Sequence, residues 1–242
     1  MEYEITGDNL QLVTLHLQGG ETVYAEAGVM NHMSSNIDMQ AKAKGGLMKG
    51  LKRMVSGESF FITEFTAQGD GFVAFGGNVP GKIEAIPISS GNEFLAQRDA
   101  FLCAENGVDM DVEFTKKLGA GFFGGEGFIL QKYSGQGTVF IHACGDFVVK
   151  DLQPGETLKV DTGSLVGFES SVQYDITRAG GIKTSLFGGE GLFLTTLTGP
   201  GRVIIQSLSI ANLAAALAPH MSIGDSGSSG SGGLSIGKLI GD

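Results

Sequence analysis

The sequence predicts an all-β protein built from three tandem repeats of one small sandwich or β-helix-like roll, followed by a short C-terminal helix. Three observations carry this. The 242 residues include 40 glycines and only five prolines, against an average glycine content of about 7%. Glycine on that scale marks many tight turns between short strands. Val13, Leu15 and Leu17 alternate with Thr14, His16 and Gln18, the period-two pattern of a half-buried strand. Finally, Phe123-Gly124-Gly125-Glu126-Gly127-Phe128-Ile129-Leu130 returns as Phe187-Gly188-Gly189-Glu190-Gly191-Leu192-Phe193-Leu194, with a worn copy at Ser56-Gly57-Glu58-Ser59-Phe60-Phe61-Ile62. Recurrence over such distances means that a supersecondary unit is reused.

Taken in order, the strand at Val13–Leu17 is followed by a turn at Gly19-Gly20, and Glu21 to Glu26 resumes as the second member of a strand pair. His16 falls on the polar face and reads as solvent-facing. Gly20-Glu21-Thr22-Val23 aligns with Gly155-Glu156-Thr157-Leu158 at an offset of 135, and Glu93-Phe94-Leu95-Ala96-Gln97 is a weaker third copy. Each opening leads to a short strand: Asn36 to Met39, Val108 to Val112, Val172 to Ile176. A glycine-rich connection and the Gly-Glu motif follow. Gly57 to Gly69, Gly125 to Gly137 and Gly189 to Gly201 are each 12 residues apart. The turns ending there feed Phe72 to Phe75, Val139 to Ile141 and Val203 to Ile205, with Asp70-Gly71 as two extra residues in the first copy.

The units are therefore 1–82, 83–148 and 149–218. The third carries the terminal helix, with Ile210, Leu213 and Leu217 at i, i+3 and i+7 before Pro219. Residues 219–242 form a Gly/Ser-rich tail whose composition reads as a flexible linker. A β unit of about 70 residues has open edges and a marginal core. Three in tandem share a core but leave an edge exposed on the outer units, which a closed ring of identical chains removes.

Composition excludes several function classes. A formal net charge of −10 opposes nucleic-acid binding through phosphates. Cys103 and Cys144 are too few for a disulfide framework and read as free thiols of a reducing compartment. They lie in one unit and could approach each other. His16, His32, His142 and His220 are scattered, so neither a metal nor another cofactor is expected. The N-terminal Met1-Glu2-Tyr3-Glu4 is neither a signal nor a transit peptide. The longest apolar run falls well short of the ~18 residues of a membrane span, so a cytoplasmic location is expected.

Glu26-Ala27-Gly28 with Met30, Gly45-Gly46-Leu47 through Gly57-Glu58, Phe123 through Gly127, Pro154-Gly155-Glu156-Thr157, Asp161-Thr162-Gly163 and Leu186 through Gly191 with Thr198-Gly199-Pro200-Gly201 together resemble one family. It is the mitochondrial-biogenesis family whose fungal member was named for altered inheritance of mitochondria, with its bacterial and archaeal relatives. The resemblance covers residues 1–218. It implies three tandem domains similar to the tryptophan RNA-binding attenuation protein fold, a short double-stranded β-helix variant, and homotrimers that close a ring of nine units. It implies no enzymatic activity and no catalytic residues. RNA binding does not come with the fold.

Candidate chemistry is sparse, and no catalytic residue is expected. Gly119 to Gly124 matches G-x-G-x-x-G but leads into a strand rather than a helix, so it is not a dinucleotide site. The repeated Glu58, Glu126 and Glu190, with Gly125, Gly127, Gly189 and Gly191, read as a structural corner in which each carboxylate accepts backbone N–H bonds. Five of the 16 basic residues fall between Lys42 and Arg53, among leucines and methionines. Lys49, Leu51, Lys52, Arg53 and Met54 form the candidate contact with a membrane surface or protein partner. The expected function is a non-enzymatic scaffold forming a homo-oligomeric ring; the alternative is a small-molecule-binding module with ligand held between units.

Overall fold

A computed structural model describes residues 1–42, 62–116, 128–178 and 193–221. Among these residues the alternating segments become nineteen short strands. The first seven are β1 (Glu2–Thr6), β2 (Leu12–Leu17), β3 (Thr22–Glu26), β4 (Met30–Met33), β5 (Ile37–Lys42), β6 (Ile62–Ala67) and β7 (Gly71–Gly76). Next come β8 (Gly81–Ile88), β9 (Phe94–Gln97), β10 (Phe101–Glu105), β11 (Val108–Lys116), β12 (Phe128–Gly135) and β13 (Gly137–Cys144). The last six are β14 (Phe147–Leu152), β15 (Thr157–Asp161), β16 (Leu165–Glu169), β17 (Gln173–Arg178), β18 (Phe193–Thr198) and β19 (Gly201–Gln206). Helix α1 (Ile210–Leu217) closes the described chain. Its N-terminus is capped by Ser209, whose Oγ accepts from the Asn212 amide at 3.1 Å. Pro219 sits in the 3-10 turn that follows, Ala218–His220.

All strand pairs are antiparallel, and their pattern recurs. β2 pairs with β7, β3 with β6, β4 with β7 and β5 with β6. The next six strands pair in the same order, β8 with β13, β9 with β12, β10 with β13 and β11 with β12. So do the last six, β14 with β19, β15 with β18, β16 with β19 and β17 with β18. Two further ladders, β3 with β10 and β9 with β16, join one set to the next. The result is two six-stranded sheets, β5-β6-β3-β10-β13-β8 and β11-β12-β9-β16-β19-β14, a four-stranded sheet β1-β2-β7-β4, and a three-stranded sheet β15-β18-β17.

The expected pairing of the first two legible strands does not form. β2 lies in the four-stranded sheet and β3 in a six-stranded one. Gly19-Gly20 is a crossover, not a hairpin turn. The Gly20 amide donates to the Ala67 carbonyl at 2.8 Å and the Gly19 amide to Asp70 Oδ1 at 3.2 Å. These bonds pin the corner to the β6–β7 turn and send the chain into the other sheet. The N-terminal segment, to which the sequence reading gave no element, is strand β1 on the edge of β2.

The core lies between the sheets in three clusters, each drawing on more than one set of strands. Val13, Leu15 and Phe75 pack with Ile83, Leu102 and Phe140. Tyr24, Phe101 and Tyr133 stack with ring centroids 5.6 and 5.9 Å apart, and Val166 and Ile204 join their cluster. Leu95, Phe128 and Leu130 complete the cluster around Phe168 and Leu197. Among the described residues no helix is long and apolar enough to cross a membrane.

Where β9 and β16 meet, Gly167 leaves no room for a side chain. A Cβ there would lie 2.5 Å from the Phe94 ring and 2.6 Å from the Leu95 carbonyl oxygen. Gly167→Ala is expected to lower the unfolding free energy by about 1–3 kcal/mol, the cost of forced overpacking; urea denaturation measures it, and an unchanged midpoint would show that the ladder has slack.

Candidate assembly edges

Backbone N–H and C=O groups on a strand edge need partners, so the four sheets can be compared edge by edge. In both six-stranded sheets the joining strands are interior: β3 meets β10, and β9 meets β16. Their counterparts are β15, which pairs with β18 as β3 does with β6 and β9 with β12, and β4, which pairs with β7 as β10 does with β13 and β16 with β19. Among the described residues these two have open edges, β4 at the end of the four-stranded sheet and β15 at the end of the three-stranded one.

Local geometry supports the correspondence. β4, β10 and β16 each carry one irregularity in the ladder to their partner, between Met30 and His32, Phe101 and Cys103, and Leu165 and Gly167. Each then places its next residue, Met33, Ala104 or Phe168, opposite a valine: Val73, Val139 or Val203. Ahead of β3, Glu21 accepts the Gln18 amide at 2.8 Å; ahead of β15, Glu156 accepts the Gln153 amide at 2.8 Å. Gly155 donates to Gly199 as Gly20 does to Ala67.

Burial separates the open edges from the paired ones. All of β10 and β16 except the terminal Glu105 and Glu169 is buried, and so is all of β9. In β4 no residue is buried, and Asn31 and His32 are exposed. In β15 only Val160 is buried; Thr157 and Lys159 are exposed. Side-chain chemistry follows. Asn31 and His32 of β4 stand where β10 has Leu102 and Cys103 and β16 has Val166 and Gly167. His32 Nδ1 bonds Asn31 Oδ1 at 2.9 Å, and its ring lies edge-on to Phe72.

The filled joints carry polar side chains at their ends. Gln97 Nε2 donates to the Thr162 carbonyl across the β9–β16 joint at 2.6 Å. At the corresponding place across β3–β10 is Glu26. Burial pushes its carboxyl up to about 7; Asp99 adds to the rise and Arg98 opposes it. Tyr24 donates its phenol proton to the Val108 carbonyl at 2.8 Å.

The residues singled out from sequence fare unevenly. Lys49, Leu51, Lys52, Arg53 and Met54 lie outside the described residues, as do Glu58, Gly125, Glu126, Gly127, Gly189, Glu190 and Gly191. Cys103 and Cys144 are free and buried. Ladder positions separate them, Cys103 standing opposite Phe140 and Cys144 opposite Gly81. Burial pushes both thiols up, Cys103 well up. His142 is buried on β13, with its ring pKa lowered by burial against a bond to the Val79 backbone. Among the described residues no group of three His, Cys, Asp or Glu side chains is placed to hold a metal. A cleft of about 240 Å³ between Leu10–Leu12, Gly28–Asn31 and Gly76–Val79 is lined by no ionisable side chain. It is smaller than the ~300–1,000 Å³ of most ligand pockets. The open edges themselves escape a reading of single strands. The signal that finds them is the polar Asn31-His32 set beside the apolar residues at the matching ladder positions of β10 and β16.

Comparison with known proteins gives three findings. The model of a family described as Mitochondrial biogenesis AIM24 matches residues 3–208. An uncharacterized protein of Streptococcus pyogenes serotype M6 is 30% identical over 218 residues, spanning 87% of this chain and 86% of that protein. The crystal structure of a Streptococcus pyogenes protein superposes with a TM-score of 0.77 at 28% identity, covering 91% of this chain and 99% of the other.

The Glu26 site makes a pH prediction. Its folded value of about 7 stands above the ordinary 4.5, so the native state binds this proton more tightly than the unfolded chain does. That contribution to stability is full below the ordinary value and is lost as pH rises through 7. Glu26→Gln is expected to melt higher than the parent at pH 8, with the difference closing by pH 5. Equal melting curves at pH 8 would remove the buried-acid assignment.

Proposed function

The chain belongs to the mitochondrial biogenesis AIM24 family, and from that premise we propose that it is a non-enzymatic structural protein whose copies join head to tail into a closed homotrimeric ring. The observation that carries this reading is the pair of unlike open edges, β4 and β15, each the counterpart of a strand that is interior elsewhere in the same chain. Unlike edges make a heterologous contact, and such contacts close into rings when the rotation per copy permits. On this reading each set of six strands is one copy of a small β-helix-like unit, similar to that of the tryptophan RNA-binding attenuation protein.

The ring works in the cytoplasm as a scaffold, and its docking element is the basic and apolar segment containing Lys49, Leu51, Lys52, Arg53 and Met54. Cations interleaved with leucine and methionine suit an anionic membrane surface: the cations meet headgroups and the apolar side chains enter the interface. Nucleic acid is not a partner of a chain carrying a net charge of −10.

Light scattering on the purified full chain tests the assembly. A mass three times that of the chain is expected at micromolar concentration, and a monomer would sink the reading. Co-sedimentation with vesicles tests the docking. Binding is expected to vesicles containing phosphatidylserine and to be lost in the Lys49→Glu, Lys52→Glu, Arg53→Glu variant; equal pelleting of parent and variant would discard the membrane role.

A further inference from the structure

The two joints within the chain are built to one register, and the geometry points to the same register between copies. In the first joint Val23, Tyr24 and Ala25 stand opposite Glu105, Ala104 and Cys103. In the second Phe94, Leu95 and Ala96 stand opposite Glu169, Phe168 and Gly167. The corresponding positions follow from the ladders that the same strands make on their other edges. Val23, Phe94 and Leu158 stand opposite Phe65, Tyr133 and Leu197. Met33, Ala104 and Phe168 stand opposite Val73, Val139 and Val203.

We infer that β15 of one copy runs antiparallel to β4 of the next with Leu158 opposite Ser34, Lys159 opposite Met33, and Val160 opposite His32. The inference rests on the head-to-tail reading above and specifies its contact. The joined sheet has the order β17-β18-β15-β4-β7-β2-β1, which is the order of the two six-stranded sheets with β1 added at the end. The occupant is therefore a second copy of this chain, because the missing half of each small sheet is the other small sheet.

A separate surface agrees. Val13 on β2, opposite Phe75, is fully buried, packed with residues that come later in the chain: Ile83, Leu102 and Phe140. Glu84 holds the same ladder position on β8, opposite Ile141, and is ion-paired to Arg202 of the following set of strands. Val148 holds it on β14, opposite Ile205, and is 42% exposed. The first two positions are covered by the next six strands of the chain, and Val148 is left without them. In the joined register the β4-β7-β2-β1 sheet of the next copy supplies that cover.

Cysteine cross-linking decides the register. Met33→Cys and Lys159→Cys face each other across the joint, within the Cα separation of about 4.4–6.8 Å that a disulfide spans. Met33→Cys with Thr157→Cys is two positions out of register and too far apart to bridge. The native Cys103 and Cys144 are buried and stay in place. Mixing chains that carry Met33→Cys with chains that carry Lys159→Cys, under mild oxidation, is expected to give a covalent dimer of one of each on a non-reducing gel. Ser34→Cys with Leu158→Cys gives the same product, and the offset pair gives none. Light scattering of each variant establishes that it assembles as the parent does. An oligomer of the expected mass in which neither in-register pair links, or in which only the offset pair does, overturns the register while the ring stands. A monomeric parent overturns both.

Discussion

A buried strand needs hydrogen-bond partners on both of its edges, and the ladders β3–β10 and β9–β16 are how this chain meets that need. Each set of six strands presents one half-sheet on either side, and neither half is complete alone. The following set supplies the missing strands, so the hydrogen bonds that finish one half-sheet also join the chain end to end. The close packing at Gly167, the stack of Tyr24, Phe101 and Tyr133, and the Gln97–Thr162 bond all depend on these two ladders being in register. A slip of one residue would turn every side chain of the joining strand to the opposite face.

The hydrophobic cores follow the joints rather than the sequence units. Val13 and Leu15 are dry because Leu102 and Phe140 cover them, and Phe168 packs in the cluster that Leu95 and Leu130 complete. Burial of apolar surface and pairing of backbone groups are thus achieved by the same contacts. At corners such as Gly19 and Gly199, where the chain passes from one sheet to the other, the backbones come close enough to favour glycine.

Much of this was legible beforehand. Strand β2 announces itself by alternation, β7, β13 and β19 by the glycine turns that lead into them, and the offset linking Glu21 to Glu156 corresponds to matching hydrogen bonds at the two turns. The helix shows in Ile210, Leu213 and Leu217. What escaped was pairing between distant strands. Val23 meets Glu105, and nothing local to either residue says so. For the same reason β2 and β3, adjacent in sequence, looked like a hairpin although their partners lie far along the chain. Strand β1 was hidden by its acidic residues, which suit an outer edge; Ile5 packs against the core and the exposed Tyr3 ring meets Phe140 edge-on. The basic segment and the glycine corners stood out by composition, yet the described architecture is specified by less conspicuous residues.

The difference between the edges β4 and β15 has a genetic consequence. A contact between unlike surfaces has a direction: each copy receives at one side and gives at the other. If copies join there, damage to β15 spares β4, and the altered chain is still accepted by an intact neighbour while offering nothing to the next. Mixed with normal chains it terminates the series in which it is incorporated, and the harm spreads beyond its own share of the pool. Loss of one edge would then behave as a dominant trait, whereas loss of both edges together would leave an inert monomer and behave as a recessive one.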